Sequence, residues 1–101
     1  MIIQLGGNIE LSGFKEVDGG SMVIVKKVVG NYVKKMNEIT TKFEKLSLSM
    51  KKIEESDKSG RFQVQAKLMD NGKAITSDVT DVNLFVSIDQ ALSKVMNEIK
   101  K

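Results

Sequence analysis

The sequence predicts a two-layer α+β sandwich, in which two helices cover one face of a four-stranded, mostly antiparallel sheet. Three observations lead to this prediction. Two segments repeat apolar residues with the period of a helix, three alternate with the period of a strand, and an Asn-Gly pair joins the last two of these strands. The predicted order is β-α-β-β-β-α, and 101 residues are enough for one domain, residues 1–101.

The N-terminal region, residues 1–20, is the least regular part of the sequence. Glycine pairs at 6–7 and 19–20 interrupt it, and the alternation at Ile9–Leu11 indicates one short strand. A hairpin of two strands is an open alternative. We therefore treat residues 1–20 as irregular or strand-containing, and residues 21–101 as the core of the predicted fold.

The first helix is predicted to begin after Ser21, a suitable N-cap, and to end near residues 37–40. Val23 and Ile24 are β-branched and lie outside its apolar stripe, so the first turn is expected to be extended or partly buried by a neighbouring element. The stripe consists of Met22, Val25, Val28, Val29, Tyr32, Val33, Met36 and Ile39.

Three strands follow, and their apolar residues alternate with polar ones along 45–51, 61–68 and 75–79. The composition of residues 55–60 indicates a turn between the first two strands. Asn71-Gly72 is a strong hairpin signal between the second and the third. The three strands are therefore expected to form an antiparallel meander with one apolar and one polar face.

The C-terminal helix is predicted to be capped by Thr80 or Asp81. Its polar face is rich in Asn, Gln and Lys, and its last turn is basic, which suits the helix dipole. The apolar stripe consists of Leu84, Phe85, Ile88, Ala91, Leu92, Val95, Met96 and Ile99.

Composition argues against several functional classes. The chain contains no Cys and no His, so thiolate chemistry, cysteine-held metals and histidine general bases are excluded. We expect no enzyme activity, no cofactor and no metal site. No apolar run approaches the ~20 residues of a membrane span, and the N-terminus does not resemble a signal peptide. A cytoplasmic location without membrane contact is the expectation.

Positive charge is concentrated in one part of the chain. The net charge is +3, but residues 26–52 contain eight lysines and two glutamates, a local charge of +6. On the first helix, Lys27 and Lys34 align opposite the apolar stripe, while Lys26 and Lys35 flank that line on opposite sides. An ordinary solvated face and a surface that binds an anionic partner are both open interpretations of this stretch.

The polar face of the sheet also carries lysines, among them Lys45 and Lys51. It lacks the aromatic side chains on which RNA bases stack, because Phe62 is expected to point to the core. Recognition of bases by stacking on the sheet is therefore not expected. Contacts from these lysines to phosphates remain an alternative to a purely solvated face.

The C-terminal sequence "SDVTDVNLFVSIDQALSKVMNEIKK", residues 77–101, resembles the end of the ribosome hibernation factors, also called protein Y or ribosome-associated inhibitors. The similar features are the acidic-polar cap at 81–83, Phe85, the Ile88-Asp89 pair and the basic residues from Lys94 to Lys101. "KLSLSM" at 45–50 and "RFQVQAKLMDNGKAITS" at 61–77 are similar to the family's second strand and following hairpin.

The resemblance implies a short, single-domain, non-enzymatic member of this family. Such a protein would bind RNA of the small ribosomal subunit in the decoding channel and block translation under stress. The order of elements also resembles the double-stranded-RNA-binding-domain fold, which recognises the shape of the RNA backbone rather than the base sequence. By position, the RNA-binding residues implied are Lys27, Lys34, Lys35, Lys94, Lys100 and Lys101.

A competing hypothesis is a homo-oligomeric protein-interaction module with the same two-layer fold and no RNA role. It would associate through an exposed sheet edge, or through Val23 and Ile24 on the first helix. An enzyme that uses lysine or carboxylate chemistry is a weaker third hypothesis, for which the sequence offers no site.

Overall fold

The structure, a computed structural model, describes residues 2–5, 8–15, 17–40, 42–55 and 58–100. It is an α+β sandwich, as predicted, with both helices on one face of a single sheet in the order β1-β2-β3-β4-β5. The elements are β1 (Ile2–Gln4), β2 (Ile9–Ser12), α1 (Gly19–Ile39), β3 (Phe43–Glu55), β4 (Lys58–Asp70), β5 (Lys73–Asp81) and α2 (Leu84–Ile99).

The N-terminal region forms a hairpin instead of one strand. β1 pairs antiparallel with β2, with Ile3 opposite Leu11, and so adds a short fifth strand at the edge of the predicted sheet. β2 pairs parallel with β3, and α1 makes the crossover between them. The region also contributes side chains to the core, because Leu11 and Phe14 are almost completely buried.

Gly13 joins β2 to the loop before α1 at a point where two backbones meet. Its φ is +81°, and a Cβ there would lie 2.0 Å from the carbonyl oxygen of Met50 on β3. Only glycine fits such an approach. The close contact fixes the path of the chain from β2 into α1.

The N-cap of α1 is Asp18 and not Ser21. The Asp18 carboxylate accepts hydrogen bonds from the backbone N–H of Ser21, at 2.8 Å, and from its hydroxyl, at 3.1 Å. Ser21 is thus the donor, since the helix begins three residues earlier than predicted. The first turn is helical rather than extended, and it leaves Val23 63% and Ile24 46% exposed.

The strands β3 to β5 form the predicted antiparallel meander, but β3 and β4 are longer than the alternation indicated. β3 continues to Glu55, and β4 begins at Lys58. The residues between the two strands, which belong to the predicted turn, lie outside the described residues. Asn71 and Gly72 have φ values of 51° and 82°, as the two-residue hairpin turn requires.

The N-cap of α2 is Asn83, and neither Thr80 nor Asp81 has this role. The Asn83 side chain accepts the backbone N–H groups of Phe85 and Val86. β5 continues through Asp81, whose carboxylate accepts the N–H of Asn83 at 2.9 Å and so shapes the turn into the helix. β5 thus continues two residues beyond the predicted strand, and the cap of α2 is displaced along the chain to Asn83.

The core lies between the sheet and the two helices. Among the residues whose burial is described, Ser87 is the polar one buried within it, and its hydroxyl donates a 3.0 Å hydrogen bond to the carbonyl oxygen of Phe62. The buried apolar side chains are Leu11, Phe14, Val25, Val29, Met36, Leu46, Leu48, Val64, Ala66, Leu68, Val79, Leu84, Ile88, Ala91, Leu92, Val95 and Met96. Neither described helix is long and apolar enough to cross a membrane.

Candidate nucleic-acid interface

The outer side of α1 is a basic surface. Lys27 and Lys34 are exposed and seven residues apart, which places them on one line about 10 Å apart along the helix axis. Within the described part of the chain neither forms an ion pair, and Glu38, one turn after Lys34, does not neutralise it. These ammonium groups are therefore available to an anionic partner.

Lys35 lies beside this line, towards α2, where an aromatic ring holds it. Its Nζ is 5.7 Å from the centre of the Tyr32 ring, within the range of a cation–π contact. The Tyr32 hydroxyl in turn donates a 2.8 Å hydrogen bond to Asp89 of α2. We call Lys27, Lys34 and Lys35 the α1 lysine cluster; all three are exposed on the same helix.

The hydrogen bond between the helices alters the acidity of Tyr32. Partial burial, followed by the hydrogen bond to Asp89 and the charge of that carboxylate, raises the pKa of Tyr32 to about 12, against a smaller opposite effect of Ser93. The phenol is therefore protonated at neutral pH, and it ties α1 to α2 directly beneath Lys35.

The basic residues of α2 do not join the α1 lysine cluster as one surface. Lys94 is exposed but lies five residues after Asp89, about 140° around α2, and it lines a groove against β5. Lys100, eleven residues after Asp89, is the exposed C-cap of α2 and lies on the side of that helix that faces α1. Lys101 lies outside the described residues.

A cleft of about 690 Å³ opens at the end of the molecule where both helices begin. Its walls include the apolar side chains of Met50, Phe62 and Phe85, and Lys15 and Lys52 also line it. No sequence pattern marks Lys15, which lies in a loop. The face of the sheet on which Lys52 lies could have been inferred from the sequence, because Lys52 follows Met50 by two residues on the same strand.

The open face of the sheet is polar and internally bonded. Lys45 forms an ion pair with Glu10 of β2, and Gln63 and Gln65 donate to Asp78 on the neighbouring strand. Phe62 is half-buried on the helix side, as predicted, which leaves this face without the aromatic platform that base stacking needs. Among the described residues, no group of three or more acidic, His or Cys side chains could hold a metal ion.

Neither a family model nor a curated protein sequence matches the chain. Solved structures do match it. A ribosomal subunit interface protein from Coxiella burnetii is 12% identical, with a TM-score of 0.62 over 93% of this chain and 94% of that one. The N-terminal domain of protein Y from Thermus thermophilus is 16% identical, with a TM-score of 0.54 over 92% of each chain.

At these identities the likeness shows a shared fold. Protein Y is a name of the family that the C-terminal sequence resembles, so the fold implied by that resemblance is confirmed. The similarity also extends beyond residues 77–101, because it covers nearly the whole chain in both comparisons.

Proposed function

We propose that this protein binds RNA of the small ribosomal subunit, occupies the decoding channel and thereby inhibits translation under stress. It acts in the cytoplasm by steric occupancy, without catalysis, and it takes no cofactor. The observation that carries the proposal is the fold likeness, over 93% of the chain, to a protein described as a ribosomal subunit interface protein.

The α1 lysine cluster is the proposed centre of the RNA-binding surface. Its ammonium groups are exposed, and Lys27 and Lys34 have no competing carboxylate among the described residues. Lysines bind phosphates as point charges and read no base sequence, so the surface would recognise the shape of a folded RNA. Lys100 extends this surface. Lys94 would contact the RNA if the RNA also passes along the side of α2 next to β5.

Co-sedimentation with purified small ribosomal subunits tests the proposal. The wild-type protein should sediment with the subunits at ~50 mM salt, where phosphate contacts are strong, and a variant with Lys27→Glu, Lys34→Glu and Lys35→Glu should remain in the supernatant. The matched control replaces Lys42, Lys51 and Lys67 with glutamate. All three are exposed outside the helices, and the net charge changes equally.

Wild-type protein that stays in the supernatant would show that the ribosome is not the partner. Equal loss of binding in the two triple variants would show that net charge alone drives association, and the surface assignment to α1 would then be wrong. Loss in the α1 variant with retention in the control supports the proposal, provided that circular dichroism shows both variants folded.

A protein-interaction module without an RNA role is the second candidate, and the exposure of Val23 and Ile24 favours it. Their side chains lie on the surface in the first turns of α1, where a partner helix or a second copy could cover them. Sedimentation velocity of Val23→Asp tests this candidate. Dissociation of a wild-type dimer by this change would support it, and an unchanged sedimentation coefficient would exclude α1 as the interface.

A further inference from the structure

The two edges of the sheet are unequal. β1 is a three-residue edge strand, whereas β5 is nine residues long and pairs with β4 without a register shift. The chain contains no proline that could block either edge. Folded proteins normally protect a long, regular edge with a bulge, a proline or a cover, because such an edge can pair with another strand. On its open side, no described strand pairs with β5.

The hydrogen-bonding groups that β5 presents follow from its turn. In a two-residue hairpin, the residues that flank the turn exchange both hydrogen bonds, and such pairs alternate along the ladder. Asp70 and Lys73 flank the Asn71-Gly72 turn, so Lys73 and every second residue after it bond to β4. The N–H and C=O groups that point out of the edge belong to Ala74, Thr76, Asp78 and Thr80.

We propose that β5 pairs antiparallel with β5 of a second copy of this chain, with Ser77 facing Ser77, so that one sheet continues through both subunits. This is the register in which all nine residues of the strand find a partner. A two-fold axis perpendicular to the sheet relates the copies, and the helices of both therefore lie on the same face.

The charges in this register are self-complementary. Lys73 of each copy faces Asp81 of the other, so an ion pair forms at both ends of the new ladder. Ile75 likewise faces Val79, and both lie on the helix side of the sheet. A shift by two residues would place Lys73 opposite Val79, or Ile75 opposite Asp81. Charge and hydrophobicity therefore select the same register as full pairing of the strand.

The side of α2 leaves room for the added strand. A groove of about 690 Å³ runs between β5 and α2, and its lining includes Ile75, Ser77, Lys94 and Asn97. A strand placed next to β5 directs its helix-side residues, Ile75 and Val79 of the second copy, towards this groove. The apolar side chains of the new pair would thus be removed from water beside α2.

The acidic residue near the middle of the edge does not oppose this pairing. The carboxylate of Asp78 accepts hydrogen bonds from Gln63 and Gln65 of β4, at 3.0 to 3.1 Å. It therefore leans over the inner neighbour of β5 on the open face, away from the edge. Thr76 of the second copy, which is uncharged, faces Asp78 in the proposed register.

This interface is separate from the α1 lysine cluster, but the second copy would fill the groove that Lys94 lines, so contact between Lys94 and RNA is expected of the monomer. The test of the interface uses the protein without RNA. Sedimentation velocity over a concentration series should show a monomer–dimer equilibrium for the wild-type chain. Lys73→Asp and Asp81→Lys should each weaken the dimer about tenfold or more, because each change converts two ion pairs into two repulsions. Lys67→Asp, an equal charge change at an exposed site on β4, is the control and should leave the equilibrium unchanged.

An equimolar mixture of the Lys73→Asp and Asp81→Lys chains gives the sharpest result. In the mixed dimer each new aspartate faces a new lysine, and each original aspartate faces an original lysine, so dimerisation should return to the wild-type level. A wild-type chain that remains monomeric at ~1 mM overturns the proposal. A dimer that both variants leave unchanged, or that the mixture does not restore, overturns the register.

Amide hydrogen exchange adds a residue-level test. In the dimer, the amides of Ala74, Thr76, Asp78 and Thr80 should become protected as the protein concentration rises. The alternating amides that bond to β4 should be protected at every concentration. Rapid, concentration-independent exchange at the four edge amides would contradict the pairing, even if another dimer forms.

Discussion

The two helices occupy the same layer but differ in what determines their sequences. α2 has sixteen residues, of which seven are buried, whereas α1 has twenty-one and buries three. Packing against β4 and β5 therefore constrains nearly half of the residues of α2. α1 contributes a narrow stripe of buried side chains to the same core and presents most of its surface to solvent. The comparison places structural residues mainly on α2 and the proposed binding residues mainly on α1.

The largest expected difference between the helices is in core stability. Ile88 of α2 is completely buried, so Ile88→Ala should lower the free energy of unfolding by about 2–5 kcal/mol. Val23 of α1 is 63% exposed, and Val23→Ala should change it by less than about 0.5 kcal/mol. Urea denaturation measures both. Similar losses for the two variants would contradict the assignment of α2 as the main structural helix.

A change in the opposite direction is expected at Gly30, between Lys27 and Lys34 on the outer side of α1. A Cβ at this position would meet no atom of another element within 4 Å. Gly30→Ala should therefore stabilise the protein by about 1 kcal/mol, through the higher helix propensity of alanine. Thermal unfolding measures the gain, and binding to small subunits should be retained. Destabilisation would show that another group already occupies this side of α1.

The smallest expected effect concerns the hydrogen bond that joins the two helices. Tyr32→Phe removes the donor to Asp89 and should cost about 1 kcal/mol or less at neutral pH. In the wild type the folded pKa is raised to about 12 from 10, so the contribution of the phenol is complete below pH 10. It should be lost as the pH rises from 10 through 12, because the unfolded phenol ionises first.

Urea denaturation of the wild type and Tyr32→Phe, in parallel between pH 8 and 12, checks this sign. Lysine titration affects both proteins, so the difference between their unfolding free energies isolates Tyr32, the only tyrosine of the chain. The difference should shrink above pH 10. A constant difference across this range would show that Tyr32 is not coupled to Asp89.

Sequence periodicity predicted most of the fold, because most of the core lies in regular elements. The stripe of α2, the alternation of β3 to β5 and the Asn71-Gly72 turn all correspond to the structure. Both N-caps were assigned to the wrong residue. Several polar residues near each helix start could have served as the cap, and the extended backbone conformation that selects Asp18 and Asn83 is not visible in the sequence.

Features that depend on tertiary contacts were beyond the sequence. The parallel pairing of β2 with β3, and the burial of Phe14, require the chain path that Gly13 sets against Met50. For the candidate site, the helical wheel correctly placed Lys27 and Lys34 on one line. It could not show that Lys94 faces β5, because a wheel does not identify the neighbour on each side of α2.

The salt dependence of binding to small subunits tests the central claim most directly, since phosphate contacts release counterions. We predict that the wild-type dissociation constant rises steeply with salt, and that replacing Lys27, Lys34 and Lys35 with glutamine weakens binding. The slope of log K against log salt should fall by roughly 2 to 3, close to one per lost phosphate contact. An unchanged slope in the triple variant would contradict the assignment of the RNA-binding surface to α1.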